Sequence, residues 1–166
     1  MLRVSNRKKR IILITGSTDG IGRQTALELA AHHTNFVIIH GRNAKKCEAA
    51  IDYIIKENKL ENRSNLDYVV ADFSDLYEVA KMAEEVEERF PGLNVLLCNA
   101  GVLLPKRTES RNGLELTFQV CICFGSSLAN TLLLIRRQCL LKENEMVQSV
   151  AVQFGALMLK LYSRQE

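Results

Sequence analysis

The sequence predicts an α/β fold in which helices cover both faces of a parallel, doubly wound β-sheet. Three observations indicate this fold. Short apolar runs alternate with longer amphipathic segments from residue 10 to residue 98. The links between these segments are short, and a glycine-rich turn joins the first apolar run to the first helix. Alternation of this kind is typical of parallel strands that are connected by helices.

The first half of the pattern contains two strands and two helices. Arg10–Thr15 is predicted as the first strand, because a continuously apolar centre is typical of a strand buried on both faces. A helix rich in alanine and leucine is expected from Gly20 to about His33, and a second apolar strand at Phe36–Ile39. Asn43 is a favourable N-cap for the second helix, whose apolar residues recur at helical spacing.

The same alternation continues in the next segment. A third strand is predicted at Leu66–Ala71. Ser74 and Asp75 open a third helix, which Pro91–Gly92 ends. Leu93–Cys98 is predicted as the fourth strand, so that the pattern of strand and helix repeats through residue 98.

The rest of the chain predicts a sheet that is incomplete on its C-terminal side. A long apolar helix is expected from about Gly113 to Leu140, and Met146–Val152 is expected as the fifth strand of about five. Residues 1–10 form a basic lead-in, residues 11–152 the folded domain, and residues 153–166 an apolar tail. Apolar residues beside an uncovered strand are typical of an interface, so we expect self-association or pairing through this C-terminal edge.

Charge and cysteine content argue against several classes of protein. The chain has 22 basic and 19 acidic residues, a net charge of +3. Five of the basic residues lie in residues 1–10, so the remainder is slightly acidic and no nucleic-acid partner is expected. The five cysteines lack Cys-x-x-Cys spacing and indicate a reducing compartment. No histidine stands at ligand spacing with a cysteine pair, so no metal is expected.

The location of the protein is predicted from the segments that could address or anchor it. No apolar signal peptide precedes the first strand, so a cytoplasmic location is expected. The basic residues 1–10 leave a mitochondrial address, or contact with an anionic membrane surface, as alternatives. Leu116–Ile135 has no charged residue, but its hydroxyl, amide and glycine residues make it too polar for a membrane span.

A glycine motif lies at the junction of the first strand and the first helix. Its residues are Thr15, Gly16, Ser17, Thr18, Asp19, Gly20, Ile21 and Gly22. Gly16 permits a tight turn, Gly20 leaves room for a pyrophosphate, and Gly22 lets the helix pack against the strand. The helix N-terminus offers its amides and its positive dipole end to phosphates. This position between strand and helix predicts dinucleotide binding rather than a turn without a ligand.

Further motifs follow in order along the chain. Asp72 stands just after the third strand, and the fourth strand is followed by Asn99, Ala100 and Gly101. The segment Gly113–Val120 stands at the start of the next predicted helix. Together with the spacing Thr-Gly-x-x-x-Gly-Ile-Gly, these motifs resemble the short-chain dehydrogenase/reductase family, and in particular its branch of retinol dehydrogenases and WW-domain oxidoreductases. The resemblance covers about residues 10–120.

The resemblance implies both a fold and an activity. It implies a Rossmann-type dinucleotide-binding domain over residues 11–152. It also implies an NAD(P)-dependent oxidoreductase that acts on a small lipophilic carbonyl or secondary alcohol, of lipid, steroid or retinoid type. In the family, an aspartate at the position of Asp72 holds the adenine of the cofactor.

The cofactor is predicted to be NADP rather than NAD. Enzymes that bind NAD usually place an acidic residue at the end of the second strand, where it binds the ribose hydroxyls. This chain has His40, Gly41, Arg42 and Asn43 there. Without an acid a 2′-phosphate is not repelled, and the Arg42 guanidinium is suited to pair with it. NAD is the second choice, with Arg42 then a solvated loop residue.

The catalytic part of the family pattern is not matched. The resemblance implies an Asn, a Ser, a Tyr and a Lys, with the Lys lowering the pKa of the Tyr so that it can transfer a proton. Cys121 stands where the Asn is expected, and Glu166 stands four residues after Tyr162, at the Lys position. Ser149 is the one catalytic candidate, and a polar strand residue is an equal interpretation of it.

Two functions therefore remain open from the sequence. The first is an NADP-dependent oxidoreductase, of which this chain is a C-terminally truncated form. The second is a catalytically inactive nucleotide-binding or regulatory form. The two functions differ in whether this chain turns over a substrate. The missing Tyr-x-x-x-Lys pair argues against turnover, because the carboxylate of Glu166, at the Lys position, would raise the pKa of a nearby phenol.

Overall fold

A computed structural model describes residues 9–123 and contains a four-stranded parallel sheet. Its strands are β1 (Arg10–Ile14), β2 (Asn35–Gly41), β3 (Leu66–Val70) and β4 (Leu93–Leu97). Its helices are α1 (Gly20–Ala30), α2 (Ala44–Glu57), α3 (Leu76–Arg89) and the short α4 (Leu116–Phe118), which continues into a π-helical segment, Gln119–Cys123. The four strands and the helices between them confirm the predicted α/β architecture.

The strand order is β3-β2-β1-β4, and every neighbouring pair is parallel. Each strand alternates its side chains between the two faces of the sheet, so two apolar layers form. Leu13 and Ile38 face the layer that contains Val79 and Val86 of α3. Ile12 and Ile14 face the opposite layer, with α1 and α2. This covering of both faces explains why the strands are continuously apolar in sequence.

The bounds of three elements in the first half differ from the sequence prediction, and β1 differs only by ending at Ile14, one residue before the predicted Thr15. Helix α1 ends at Ala30, whereas the sequence predicted about His33. The Asn35 side chain donates a hydrogen bond of 2.9 Å to the carbonyl of Leu29 and so satisfies one of the last helical carbonyls from outside the helix. Strand β2 begins at that same Asn35 and runs to Gly41, longer than the predicted Phe36–Ile39.

The helix predicted from Gly113 begins later, at Leu116. Gly113 has a φ of +74° and lies in a turn. The Glu115 carboxylate caps the helix by accepting from the amides of Thr117 and Phe118. The rest of this helix, the fifth strand at Met146–Val152 and the tail at residues 153–166 lie outside the described residues.

One buried amide, at the end of α4, joins two loops. Gln119 is fully buried, and its Nε2 donates to the carbonyl of Phe73 over 2.9 Å. Its Oε1 accepts from the Ser110 hydroxyl over 2.6 Å. The loop after β4 is thereby joined to the segment after β3. Among the described helices, none is long and apolar enough to cross a membrane.

Candidate functional site

The residues singled out by the sequence lie at one edge of the sheet. The segments that follow the four parallel strands meet there: Thr15–Gly22 after β1, Arg42–Asn43 after β2, Ala71–Asp72 after β3 and Cys98–Gly101 after β4. The order β3-β2-β1-β4 reverses direction between β1 and β4. In open parallel sheets, ligands bind beyond the carboxyl ends of the strands at such a reversal.

Hydrogen bonds tie the glycine loop, residues 15–22, to the end of β4. The buried Thr15 hydroxyl accepts from the amides of Asn99 and Ala100, over 3.0 and 2.9 Å. The Asn99 side chain donates back to the carbonyls of Thr15 and Gly16, over 2.9 and 3.1 Å. Two of the sequence-predicted motifs are therefore one hydrogen-bonded unit.

Two glycines of the loop are required by close packing. Gly16 has a φ of +62°, and a Cβ on it would lie 2.8 Å from the Cα of Ala100. A Cβ on Gly22 would lie 2.5 Å from Asn99 Nδ2 and 2.5 Å from the Gly16 carbonyl oxygen. Since real Cβ atoms do not approach other atoms this closely, neither position accepts a side chain without displacing the backbone.

Gly20 is different, because a Cβ on it would meet nothing within 4 Å. Its φ is +55°, and it begins α1. Asp19 is the N-cap of that helix: its carboxylate accepts from the Gly20 amide over 2.8 Å and forms an ion pair with Arg23. Open space at a glycine beside a helix N-terminus fits a phosphate group that approaches the backbone closely.

The middle of the loop packs on the end of β2. Ser17 is fully buried; its hydroxyl donates to the Ile14 carbonyl over 2.7 Å and accepts from the His40 amide over 3.0 Å. Thr18 leans over Gly41, where an added Cβ would lie 2.4 Å from the Thr18 methyl group. Ile21, which follows Gly20, is 66% exposed.

His40 is buried between the glycine loop and the end of β3. Its Nδ1 accepts from the Gly16 amide over 3.0 Å, and its Nε2 lies 3.2 Å from the Ala71 carbonyl oxygen. The imidazole stacks on the Phe73 ring, with centroids 4.1 Å apart. Burial lowers the pKa of His40 to about 4, outweighing the opposite effects of the Ala71 carbonyl and of Asp72.

Asp72 is half-buried and held from two directions. Its backbone amide donates to the Glu78 carboxylate over 2.6 Å, and its own carboxylate accepts from the Ser74 amide over 2.9 Å. The segment after β3 thus presents a carboxylate of fixed position at the same sheet edge as the loop.

Arg42 is exposed at the end of β2, immediately before the N-cap Asn43 of α2. Its guanidinium makes no hydrogen bond or ion pair with the residues described, 9–123. A cation in this state is available to an anionic ligand.

A groove of about 370 Å³ lies elsewhere, along the outer side of β3. Arg89 lies in it and pairs with Asp67 over 2.9 Å and with Glu85. The groove is lined by three carboxylates and two guanidinium groups, and none of the residues of the glycine motif lines it. Within residues 9–123 no cluster of His, Cys, Asp or Glu side chains could hold a metal ion.

A family model described as short chain dehydrogenase matches residues 10–123. That stretch contains all four strands, the glycine loop and the Asn99–Gly101 segment. The chain belongs to the short-chain dehydrogenase family. The resemblance of its motifs is therefore confirmed at the level of the family, as is the Rossmann-type fold.

Curated relatives of the chain include two proteins whose names specify a type of enzyme. The WW domain-containing oxidoreductase of Drosophila melanogaster is 40% identical over 111 residues, which are 67% of this chain and 27% of that protein. Retinol dehydrogenase 13 of Homo sapiens is 37% identical over 113 residues, 67% of this chain and 32% of that protein. The chain therefore spans about a third, or less, of the length of these relatives.

Solved structures share the fold. A short chain dehydrogenase from Salmonella enterica subsp. enterica serovar Typhi superposes with a TM-score of 0.59 at 29% identity, over 76% of this chain and 52% of that one. A short-chain dehydrogenase from Sphingobium yanoikuyae, solved in complex with NADPH, superposes with a TM-score of 0.63 at 19% identity, over 78% of this chain and 49% of that one. The second likeness shows the fold alone.

Cys121 occupies the sequence position at which the family pattern has an asparagine. The half-buried Cys121 Sγ donates to the Val102 carbonyl over 3.5 Å, and it lies 3.5 Å from where a Cβ on Gly101 would stand. A thiol at this place cannot hold a water molecule as an amide does, because it is only a weak donor and acceptor. The other catalytic positions considered, Ser149 and Tyr162, lie outside the described residues.

Two residues at the site were missed by the sequence reasoning. His40 and Gly41 were treated only as the absence of an acid at the end of β2. The available signal was a histidine at the end of an otherwise apolar strand, followed by a glycine. Such a histidine is expected to be buried, and a buried polar group needs partners.

Proposed function

We propose that this chain is the dinucleotide-binding part of an NADP-dependent oxidoreductase that acts on a carbonyl or secondary alcohol. The observation that carries the proposal is the open space at Gly20, beside the N-terminus of α1 and at the reversal of strand order. This place suits a pyrophosphate, which needs backbone amides and no intervening side chain. The family membership of the chain supports the same reaction class.

Each side of the proposed site has a distinct task. The backbone of Thr15, Gly16, Ser17, Thr18, Asp19, Gly20, Ile21 and Gly22 surrounds the pyrophosphate. Asp72 receives the adenine side, at the end of β3. Asn99 and Ala100, which Gly101 follows, fix the loop from the end of β4, as their hydrogen bonds to Thr15 indicate.

The preference for NADP over NAD rests on Arg42. The end of β2 carries no acid, and the Arg42 guanidinium is exposed there without an ionic partner among residues 9–123. Only NADP offers a 2′-phosphate, which a guanidinium binds through paired charge-assisted hydrogen bonds.

The test compares the affinities of NADP+ and NAD+ in the wild type and in Arg42→Ala. We expect the substitution to weaken NADP+ about tenfold or more, the effect of losing a charge-assisted contact of roughly 1.5–3 kcal/mol, and to leave NAD+ nearly unchanged. Lys56→Ala is the matched control, since Lys56 is an exposed cation in the last turn of α2, the helix that follows Arg42. Equal losses for both nucleotides would contradict a phosphate role for Arg42.

A second candidate function is nucleotide binding without turnover. Cys121 replaces the asparagine of the family pattern, and Glu166 follows Tyr162 at the spacing where the pattern has a lysine. A carboxylate there opposes ionisation of the phenol instead of assisting it. In this case the chain acts as a regulatory or nucleotide-binding form, with no substrate of its own.

The substrate class, the partners and the cellular location of the protein are also proposals. The substrate class proposed is a small lipophilic carbonyl or alcohol, and the name of one relative, retinol dehydrogenase 13, specifies such an alcohol. Self-association or pairing through the C-terminal edge, and a cytoplasmic location, are proposals from the sequence. Light scattering of the purified chain and fractionation of cells that express it are the measurements that check them.

A further inference from the structure

His40 connects two parts of the site that are far apart in sequence. Through its ring it joins Gly16, 24 residues earlier, to Ala71, 31 residues later. Through its backbone it also exchanges hydrogen bonds with Ser17, whose amide donates to the His40 carbonyl over 2.9 Å. The residue is 2% exposed, so water does not substitute for any of these contacts.

The chemistry of the partners fixes the state of the ring. The Gly16 amide is a donor, so Nδ1 must be an acceptor; the Ala71 carbonyl is an acceptor, so Nε2 must carry the proton. Only the neutral imidazole with its proton on Nε2 satisfies both at once. The ring is therefore a rigid spacer between a backbone donor of the glycine loop and a backbone acceptor at the end of β3.

We propose that His40 is a positioning residue for the dinucleotide, which sets the glycine loop at a fixed distance from the Asp72 segment. This inference rests on the proposed dinucleotide site. Asp72 directly follows Ala71, and Gly16 is the first glycine of the loop that is proposed to receive the pyrophosphate. The adenine side and the phosphate side of the site are thus joined by one side chain.

An apolar core residue would fill the same volume but would not form the hydrogen bonds to Gly16 and Ala71. A phenylalanine would keep the stacking on Phe73 and leave the Gly16 amide and the Ala71 carbonyl without their partners. An unpaired amide at the first glycine of the loop is free to turn toward another acceptor, which displaces the loop. Positioning and core packing therefore predict different behaviour for different substitutions.

Three substitutions separate the contacts of the ring. His40→Asn keeps an acceptor at the place of Nδ1, because its Oδ1 stands the same number of bonds from Cβ. His40→Gln keeps a donor at the place of the ring Nε2, because the Gln Nε2 lies the same number of bonds from Cβ. His40→Phe keeps only the stacking and the volume. Each variant and the wild-type full chain are titrated with NADPH, well below their unfolding midpoints, and those midpoints are measured separately.

Positioning predicts that NADPH affinity follows the hydrogen bond to Gly16. His40→Phe is expected to lose at least tenfold in affinity, His40→Gln several-fold, and His40→Asn the least. Affinity need not follow thermal stability, because His40→Asn loses the stacking on Phe73 and most of the buried volume. If His40→Phe does not fold, the order of the other two variants still decides the matter.

Two results would overturn the inference. One is a wild type that binds NADPH while His40→Phe, or His40→Gln, binds it equally well. The other is a loss of affinity that simply follows the unfolding midpoints, as a packing role predicts. A wild type that does not bind NADPH would instead refute the proposed function, and the inference with it.

Discussion

A substitution at Gly20 distinguishes a dinucleotide site from a glycine turn that only shapes the fold. An alanine Cβ at Gly20 would meet nothing within 4 Å, so the folded chain has room for it. The proposed pyrophosphate occupies that room. Gly20→Ala is therefore expected to leave the fold intact and to impair binding.

The cost to stability follows from the backbone angle. Gly20 has a φ of +55°, a left-handed conformation that costs a residue with a Cβ about 1–2 kcal/mol. Gly113 is the matched control: its φ is +74°, and a Cβ there also meets nothing within 4 Å. It lies in the turn before α4 and outside the glycine loop. Gly113→Ala should therefore lose a similar amount of unfolding free energy.

The two variants should separate in a binding assay. Urea denaturation measures the loss of stability, and isothermal titration with NADPH measures affinity. We expect comparable losses of stability, and a loss of affinity of at least tenfold, about 1.4 kcal/mol, in Gly20→Ala alone. Unchanged affinity in Gly20→Ala, or an equal loss in both variants, would refute the assignment of the loop to the pyrophosphate.

The remaining predictions concern pH and turnover. His40 has a pKa of about 4 in the folded chain and an ordinary value near 6.5 when unfolded, so protons favour the unfolded state between these values. Unfolding free energy should fall by up to about 3 kcal/mol as the pH drops from 6.5 to 4, and His40→Asn should show a flatter profile; parallel profiles would contradict this. NADPH oxidation with retinoid, steroid and aliphatic carbonyls should show no protein-dependent rate, because Cys121 and Glu166 replace an asparagine and a lysine. A robust rate from the purified chain would exclude the form without turnover.

The architecture was accessible from sequence because its strands are buried on both faces. The continuous apolar run at residues 11–14 has no alternation, which is typical of a strand between two helical layers, and the structure has both layers. The starts of α2 and α3 could also be predicted from sequence, because Asn43 and Asp75 are favourable N-cap residue types and do cap these helices. The start of α4 could not be predicted, because the sequence does not show that Gly113 has a left-handed backbone conformation, with a φ of +74°.

The site was predicted in its residues but not in its connections. Thr15 and Asn99 were each recognised from motifs, yet their mutual hydrogen bonds join positions more than 80 residues apart and have no local signal. The role of His40 depends on Phe73 and Ala71, which a different strand brings to it. Contacts between strand ends are set by the order of strands in the sheet, which local sequence does not encode.

We propose that the edge of the sheet formed by the glycine loop, Asp72 and the Asn99–Gly101 segment binds a dinucleotide. Isothermal titration of the purified full chain with NADPH tests it most directly. We expect saturable binding with one site per chain, and tighter binding of NADPH than of NADH. No saturable binding of either nucleotide by a chain with a cooperative unfolding transition would contradict it.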